Sequence, residues 1–157
     1  MDKQQNIDSL TILAYAIDLN ALAVDEVISW CDKQMVKIEK PDFWLIELST
    51  SRKHPIDIVS QLKLAGAQTE IQDSMYLTLV AGAYFRERID YNRAIQLLME
   101  RFCFVDWEIM TDLRQEIYVI DDELEWNVPK GIKRLKSFLK SYNQNFENLL
   151  IEIGIKT

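Results

Sequence analysis

Apolar residues recur along this chain at intervals of three and four, the spacing of a helix with one buried face, and one stretch departs from that pattern by being apolar on every side. That stretch is TEIQDSMYLTLVAGAYFRER, residues 69–88; between Met75 and Phe85 only Thr78 carries a polar side chain of consequence. A helix there is greasy all round and belongs inside a ring of other helices. Thr69 and Gln72 have the spacing of a capping box, and Glu70 and Asp73 sit against the positive end of the helix dipole. Gly82 in mid-run costs roughly 1 kcal/mol of helix propensity, which points to close approach by a neighbouring helix. The run falls short of the about 20 apolar residues that a bilayer demands, and charges close both of its ends, so a membrane span is not expected.

The remaining segments read as amphipathic helices. Asp8 or Ser9 can cap a first one, with Leu10, Leu13, Ala14 and Ile17 on its apolar face. Asn20 reads as the cap of a second, whose stripe is Val24, Val27, Ile28, Cys31 and Met35, flanked by Trp30 as an anchor for a neighbour. Pro41 stops that helix and opens a short, dense one over PDFWLIELS. A strand is the competing reading there, disfavoured because no partner strand is in sight. STSRKHP is a loop, and Pro55 opens a fourth helix with Ile58, Val59 and Leu62 inward that ends near Gly66.

After the central run, Asp90 can cap a helix carrying Tyr91, Ala94, Ile95, Leu98 and Phe102, followed by a tight apolar corner at Phe104 and Val105. From Asp106 to Trp126 the residues Met110, Leu113, Ile117, Ile120 and Leu124 keep helical period, which makes this the longest expected helix. Asn127 and Pro129 cap and open the last segment, with Ile132, Leu135, Leu139, Tyr142, Phe146, Leu149 and Ile153 inward. It is one long helix or two split near Asn143. The expected fold is therefore all-α: a single domain over residues 1–157, a bundle of about seven or eight helices around a buried central helix.

Composition agrees with this. Among 157 residues there are 4 glycines and 3 prolines, too few for the turns of an all-β fold. Cys31 and Cys103 stand far apart in apolar surroundings with no metal or redox spacing, so buried reduced thiols are expected. The first residues lack the regions of an export signal, and a cytoplasmic location is the expectation.

Charge and motifs narrow the function more by exclusion than by assignment. The net charge is −7, which disfavours nucleic acid and anionic membranes and suits a basic protein partner. His54 is the only histidine, leaving little for histidine-rich zinc sites or histidine acid–base chemistry. No glycine-rich phosphate loop, G-x-S-x-G elbow, H-E-x-x-H or paired E-x-x-H motif is present, so no catalytic residues, metal ligands or cofactor are assigned.

The segment IDDELEW crowds Asp121, Asp122, Glu123 and Glu125 into one and a half helical turns, with Asp121 and Glu125 on one face. Such acids gain from an added positive charge, whether a divalent cation, a basic partner or the chain's own bases. Lys130, Lys133, Arg134, Lys136 and Lys140 follow across the Asn127–Pro129 turn, and an antiparallel helix pair would set acids against bases. Self-pairing is the favoured reading. The chain before Lys130 holds 12 basic and 23 acidic residues, net −11, so the basic run is the polar face of a helix rather than a nucleic-acid surface. Of four tryptophans, Trp44 is expected in the core, while Trp107 and Trp126, at opposite ends of the acidic helix, are candidates for exposure. The candidate partner surface is thus Trp107, Glu108, Asp121, Asp122, Glu125 and Trp126.

Trp30-Cys31-Asp32 and, after a short gap, Pro41-Asp42-Phe43-Trp44-Leu45-Ile46-Glu47-Leu48-Ser49 resemble small all-helical bacterial proteins of unassigned function, some of them like immunity or accessory factors of toxin systems. The resemblance covers about 20 residues and carries no family site residues. It implies an interaction protein, and an immunity-type inhibitor of a basic toxin is the leading expectation. A carboxylate-based metal or small-ligand protein or enzyme is the alternative, and a plain homo-oligomer subunit is a third.

Overall fold

The computed structural model describes residues 3–50, 54–104 and 110–156, with side chains from residue 8 onward. Among these residues it is all-helical: α1 (Lys3–Asp18), α2 (Val24–Lys37), α3 (Phe43–Thr50), α4 (Pro55–Ala65), α5 (Asp73–Phe85), α6 (Tyr91–Phe102), α7 (Asp112–Trp126) and α8 (Val128–Glu152). α5 packs on α6, α6 on α7, α7 on α8 and α8 back on α5, a closed ring of four helices. α1 lies against α5 and carries α4, and α3 bridges α4 and α2. Trp30 ties the two groups together: its indole is buried and donates to the Ile153 carbonyl at the far end of α8.

α5 is the buried helix that the apolar run implies, since every residue from Tyr76 to Ala83 is buried. Its close neighbour is α8. A Cβ built on Gly82 would lie 2.4 Å from the Phe146 ring, and Phe146 is itself fully buried. Gly82 therefore concedes helix propensity so that an aromatic ring can sit on the α5 backbone. Thr78, the polar exception in the run, donates its hydroxyl to the Ser74 carbonyl within its own helix.

α5 is shorter than residues 69–88 at both ends. The Thr69 capping box does not form; Gln72 stands at the N-cap without a side-chain bond. The backbone before α5 is claimed by other elements instead. Thr69 O accepts from Tyr15, Gln68 N donates to Thr11 Oγ1, and Ile71 O accepts from Arg101 at 2.6 Å. Arg101 also holds Asp73 at 3.0 Å and lies 4.4 Å from the centre of the Tyr76 ring, so α6 fixes the start of α5.

At the other end Glu87 adopts φ 57°, with Arg88 N bonded to Ala83 O and Glu87 N to Tyr84 O. This is a Schellman turn with glutamate in the place glycine usually takes. α1 ends in the same way at Asn20, φ 60°, through Ala21 N to Ala16 O and Asn20 N to Ile17 O. Asn20 thus closes α1 rather than capping α2, whose N-cap is Ala23 with Glu26 reaching back to its amide. The two left-handed turns are bonded to each other: Asn20 Nδ2 donates to Arg88 O, while Arg88 donates to Asn20 O and Oδ1.

Other boundaries also shift. α1 begins at Lys3, ahead of Asp8 and Ser9, with Leu10, Leu13, Ala14 and Ile17 buried as their spacing requires. Residues 41–49 are helical from Phe43, with Asp42 accepting the first bonds and Pro41 outside, so proline does not open α3. Ser49 and Thr50 belong to α3 and not to a loop; residues 51–53 of that expected loop lie outside the described residues. Trp44 is half-buried at the edge of the core instead of within it. Pro55 does open α4, and Gly66 closes it at φ 123°. Asp90 caps α6 by accepting from Arg93 N, and Phe104 is exposed rather than packed into a corner. α7 starts at Asp112, where Thr111 caps it, and Met110 precedes it and is exposed; Val105 and Asp106 lie outside the described residues. α8 is one unbroken helix capped by Asn127, and it is longer than α7.

Two substitutions test these junctions. Gly82→Ala is expected to lower stability by about 1–3 kcal/mol, because the Phe146 ring must move; chemical denaturation giving an unchanged midpoint would refute the close α5–α8 contact. Glu87→Gly relieves a left-handed residue of its side-chain penalty and is expected to gain about 0.5–1 kcal/mol in the same assay. A loss would show that the Glu87 side chain contributes more than the turn costs.

Candidate functional site

The α7–α8 hairpin carries the acids singled out in the sequence and sorts them by face. Ile117, Ile120 and Leu124 bury one side of α7. Glu116 and Glu123, seven residues apart, share the flank that faces α8. There Arg134 donates to both, Nε to Glu116 Oε1 at 2.9 Å and Nη1 to Glu123 Oε1 at 3.2 Å, and Lys130 adds a 3.5 Å contact to Glu123. The Arg134 hydrogen bonds hold the Glu116 carboxyl below its usual range against a smaller opposing effect of burial. The corner where the helices turn is tight as well, with Gly131 packed so closely on Leu124 that a Cβ would lie 2.8 Å from the Leu124 backbone nitrogen.

Acid–base self-pairing therefore occurs, but through Glu116 and Glu123 with Arg134 and Lys130, and it leaves two sets over. On α8, Lys133, Lys136 and Lys140 make no ion pair among the described residues. On α7, Asp121 and Glu125 lie on the flank opposite Glu116 and Glu123, with Asp122 turned further outward. Burial raises the Asp121 carboxyl above its usual value, and the negative charges of Glu125 and Asp122 raise it further. These three carboxylates repel one another, and among the described residues none of them makes an ion pair.

Trp126 follows at the end of α7 and is 87 % exposed, an unusual position for an indole. Asp122 and Trp126, four residues apart, share the outer face at the end of α7, with Asp121 and Glu125 on the flank beside it. Trp107 and Glu108, the other two residues of the candidate surface, lie outside the described residues.

Other candidate chemistry is placed as follows. His54 is exposed at the N-cap of α4 and makes no side-chain cap bond. Cys31 and Cys103 are both buried; burial pushes the Cys31 thiol up to about 12 and raises Cys103 as well, so neither is a thiolate at neutral pH. Among the described residues no group of three or more His, Cys, Asp or Glu is placed to hold a metal ion, and no helix is long and apolar enough to cross a membrane.

Periodicity missed one site residue set that the structure supplies. Arg86 donates to Ala21 O at 2.7 Å and to both carboxylate oxygens of Glu26. Burial raises the Glu26 carboxyl, yet the Arg86 and Ala23 hydrogen bonds and the Arg86 charge outweigh it and hold it below its usual value. No sequence signal marked it, since the N-cap of α2 is Ala23, not a capping residue type, and Arg86 is distant in the chain.

A raised carboxyl in the folded state means that the fold holds that proton more tightly than the unfolded chain does. The stabilisation is present below the ordinary value of 3.8 and is lost as pH rises through the raised one, so ionised Asp121 weighs against the fold at neutral pH. Asp121→Asn is expected to be more stable than the parent at neutral pH by roughly 0.5 kcal/mol. Denaturation midpoints of the two should converge below pH 3.8; a gap that persists or widens there would remove electrostatic repulsion as its cause.

No family model matches this chain, and no curated protein or solved structure shows significant similarity to it.

Proposed function

We propose that this chain is an acidic protein-interaction module that captures a basic protein partner through the Asp121, Asp122, Glu125 and Trp126 corner of α7, in the manner of an immunity-type inhibitor. The observation that carries the reading is the 87 % exposed Trp126 near carboxylates that make no ion pair among the described residues. Indoles are costly to leave in water and frequent among residues that dominate interface energy. Crowded acids are relieved by a cation brought from outside, and a chain of net charge −7 steers such a partner in. No described acid is fully buried, and the buried polar residues of the core are Thr11 and Thr78. That distribution supports a surface-acting protein over an enzyme with carboxylates gathered in a pocket.

Affinity capture with the tagged chain from its native host is expected to return a basic protein. Asp121→Lys with Asp122→Lys should slow association and flatten its salt dependence, whereas Trp126→Ala should speed dissociation, at a cost of about 2 kcal/mol or more. Failure to recover a basic partner, or an affinity indifferent to both variants, would sink the proposal.

A further inference from the structure

On the opposite side of α8 from Arg134 runs a groove of different character. Lys133, Lys136 and Lys140 line it at spacings of three and four residues, so they stand in a row along about 10 Å of helix. Phe85, Pro129 and Ile132 form its apolar floor, and this lobe encloses about 440 Å³. Phe85 and Lys136 also line a second lobe of about 460 Å³, so the two lie side by side. Tyr84 and Tyr91 border that second lobe together with Glu87 and Asp90. Asp90 is engaged there in capping α6, and the Arg88 guanidinium at the same rim is engaged by Asn20.

We propose that this groove is a docking site for an acidic protein segment bearing an aromatic or large aliphatic side chain. Three features select that occupant. The first lobe presents three exposed lysines that have no ion pair among the described residues, in a chain whose net charge is −7. Uncompensated local charge of this sign calls for an anion, and the row matches carboxylates one helical turn apart on a facing segment. The apolar floor between the lysines supplies what a bare anion would not use. It suits a ligand with an oily side chain next to its charges, bound as an anchor in a pocket. Both lobes are open and lie side by side, which fits a length of chain better than one enclosed small molecule.

Nucleic acid is the wrong polyanion for it. A phosphate backbone carries charge at every nucleotide and would set it against Glu87 and Asp90, whereas a peptide can place uncharged residues there. The site is distinct from the α7 corner, takes a ligand of opposite charge, and stands or falls separately from it.

The test is fluorescence anisotropy with a labelled synthetic peptide of alternating Glu and Trp residues, against a counterpart with Gln for each Glu, and with inorganic tripolyphosphate as competitor. The Glu–Trp peptide is expected to bind, and the Gln–Trp peptide at least roughly tenfold more weakly. Lys133→Glu with Lys136→Glu should weaken the Glu–Trp peptide by a similar factor, while Asp121→Lys with Asp122→Lys should not weaken it. Because Lys133 and Lys136 are exposed, circular dichroism should show the first variant folded; if it is not, Lys133→Gln with Lys136→Gln carries the same expectation with a smaller drop. Equal binding of the two peptides, or indifference to the lysine changes, overturns the proposal. So does tripolyphosphate displacing the peptide at equal concentration, which would mark a small-polyanion site instead.

Discussion

The contact between the backbone of α5 at Gly82 and the ring of Phe146 on α8 governs much of the molecule. Without a side chain at Gly82, two helices approach closely enough for an aromatic ring to pack on main chain, and dispersion contacts replace what a Cβ would have excluded. One turn later Arg86 has its guanidinium 5.9 Å from the centre of that same ring. From there it reaches Glu26 and Ala21, fastening the α1–α2 turn to the end of α5. The α5–α8 spacing and the seating of the first helices on the ring are therefore one coupled arrangement, with Phe146 and Arg86 as its hinge points.

Where a local signal governed a boundary, it could be read from the chain. Asp90, Pro55, Gly66 and Asn127 act through their own or adjacent backbone groups, and each closes or opens the helix its spacing implies. Thr69 and Asn20 misled for a shared reason: capping preference describes a helix in isolation, whereas distant residues compete for the same groups. Tyr15 and Arg101 hold the backbone ahead of α5, and Arg88 holds Asn20. None of these partners lies within fifteen residues of its target, so no window of sequence contains the answer. The apolar run itself survived this competition, because burial of a whole helix outweighs a single cap.

The same distinction divides the candidate surface. That acids and bases pair across the α7–α8 turn was legible from their adjacency, but which ones pair depends on helix phase. Arg134 finds Glu116 and Glu123 because residues seven apart fall on one flank, whereas the denser cluster at Asp121 and Glu125 falls on the other. The exposure of Trp126 was foreshadowed by its place at the end of an acidic helix. The lysine row was visible only as a polar face, since the groove it lines is made by Phe85 and Pro129 from elements far apart in sequence.

Phase thus turns one helical hairpin into a bipolar element, with carboxylates and an indole at one corner and three lysines over an apolar floor on another side. The two surfaces do not meet the same long-range field. A chain of net charge −7 draws a cation toward the acidic corner from a distance, so that capture there gains in rate. It repels an anion approaching the lysines until the approach is within about a Debye length, roughly 8 Å at physiological salt. A ligand of that groove must gain its affinity at contact, from Phe85, Ile132 and the lysines together, and raised salt should weaken its binding less than it slows capture at the acidic corner. The opposite signs of the two proposed surfaces mean that a ligand carrying charge of one sign alone would not serve both.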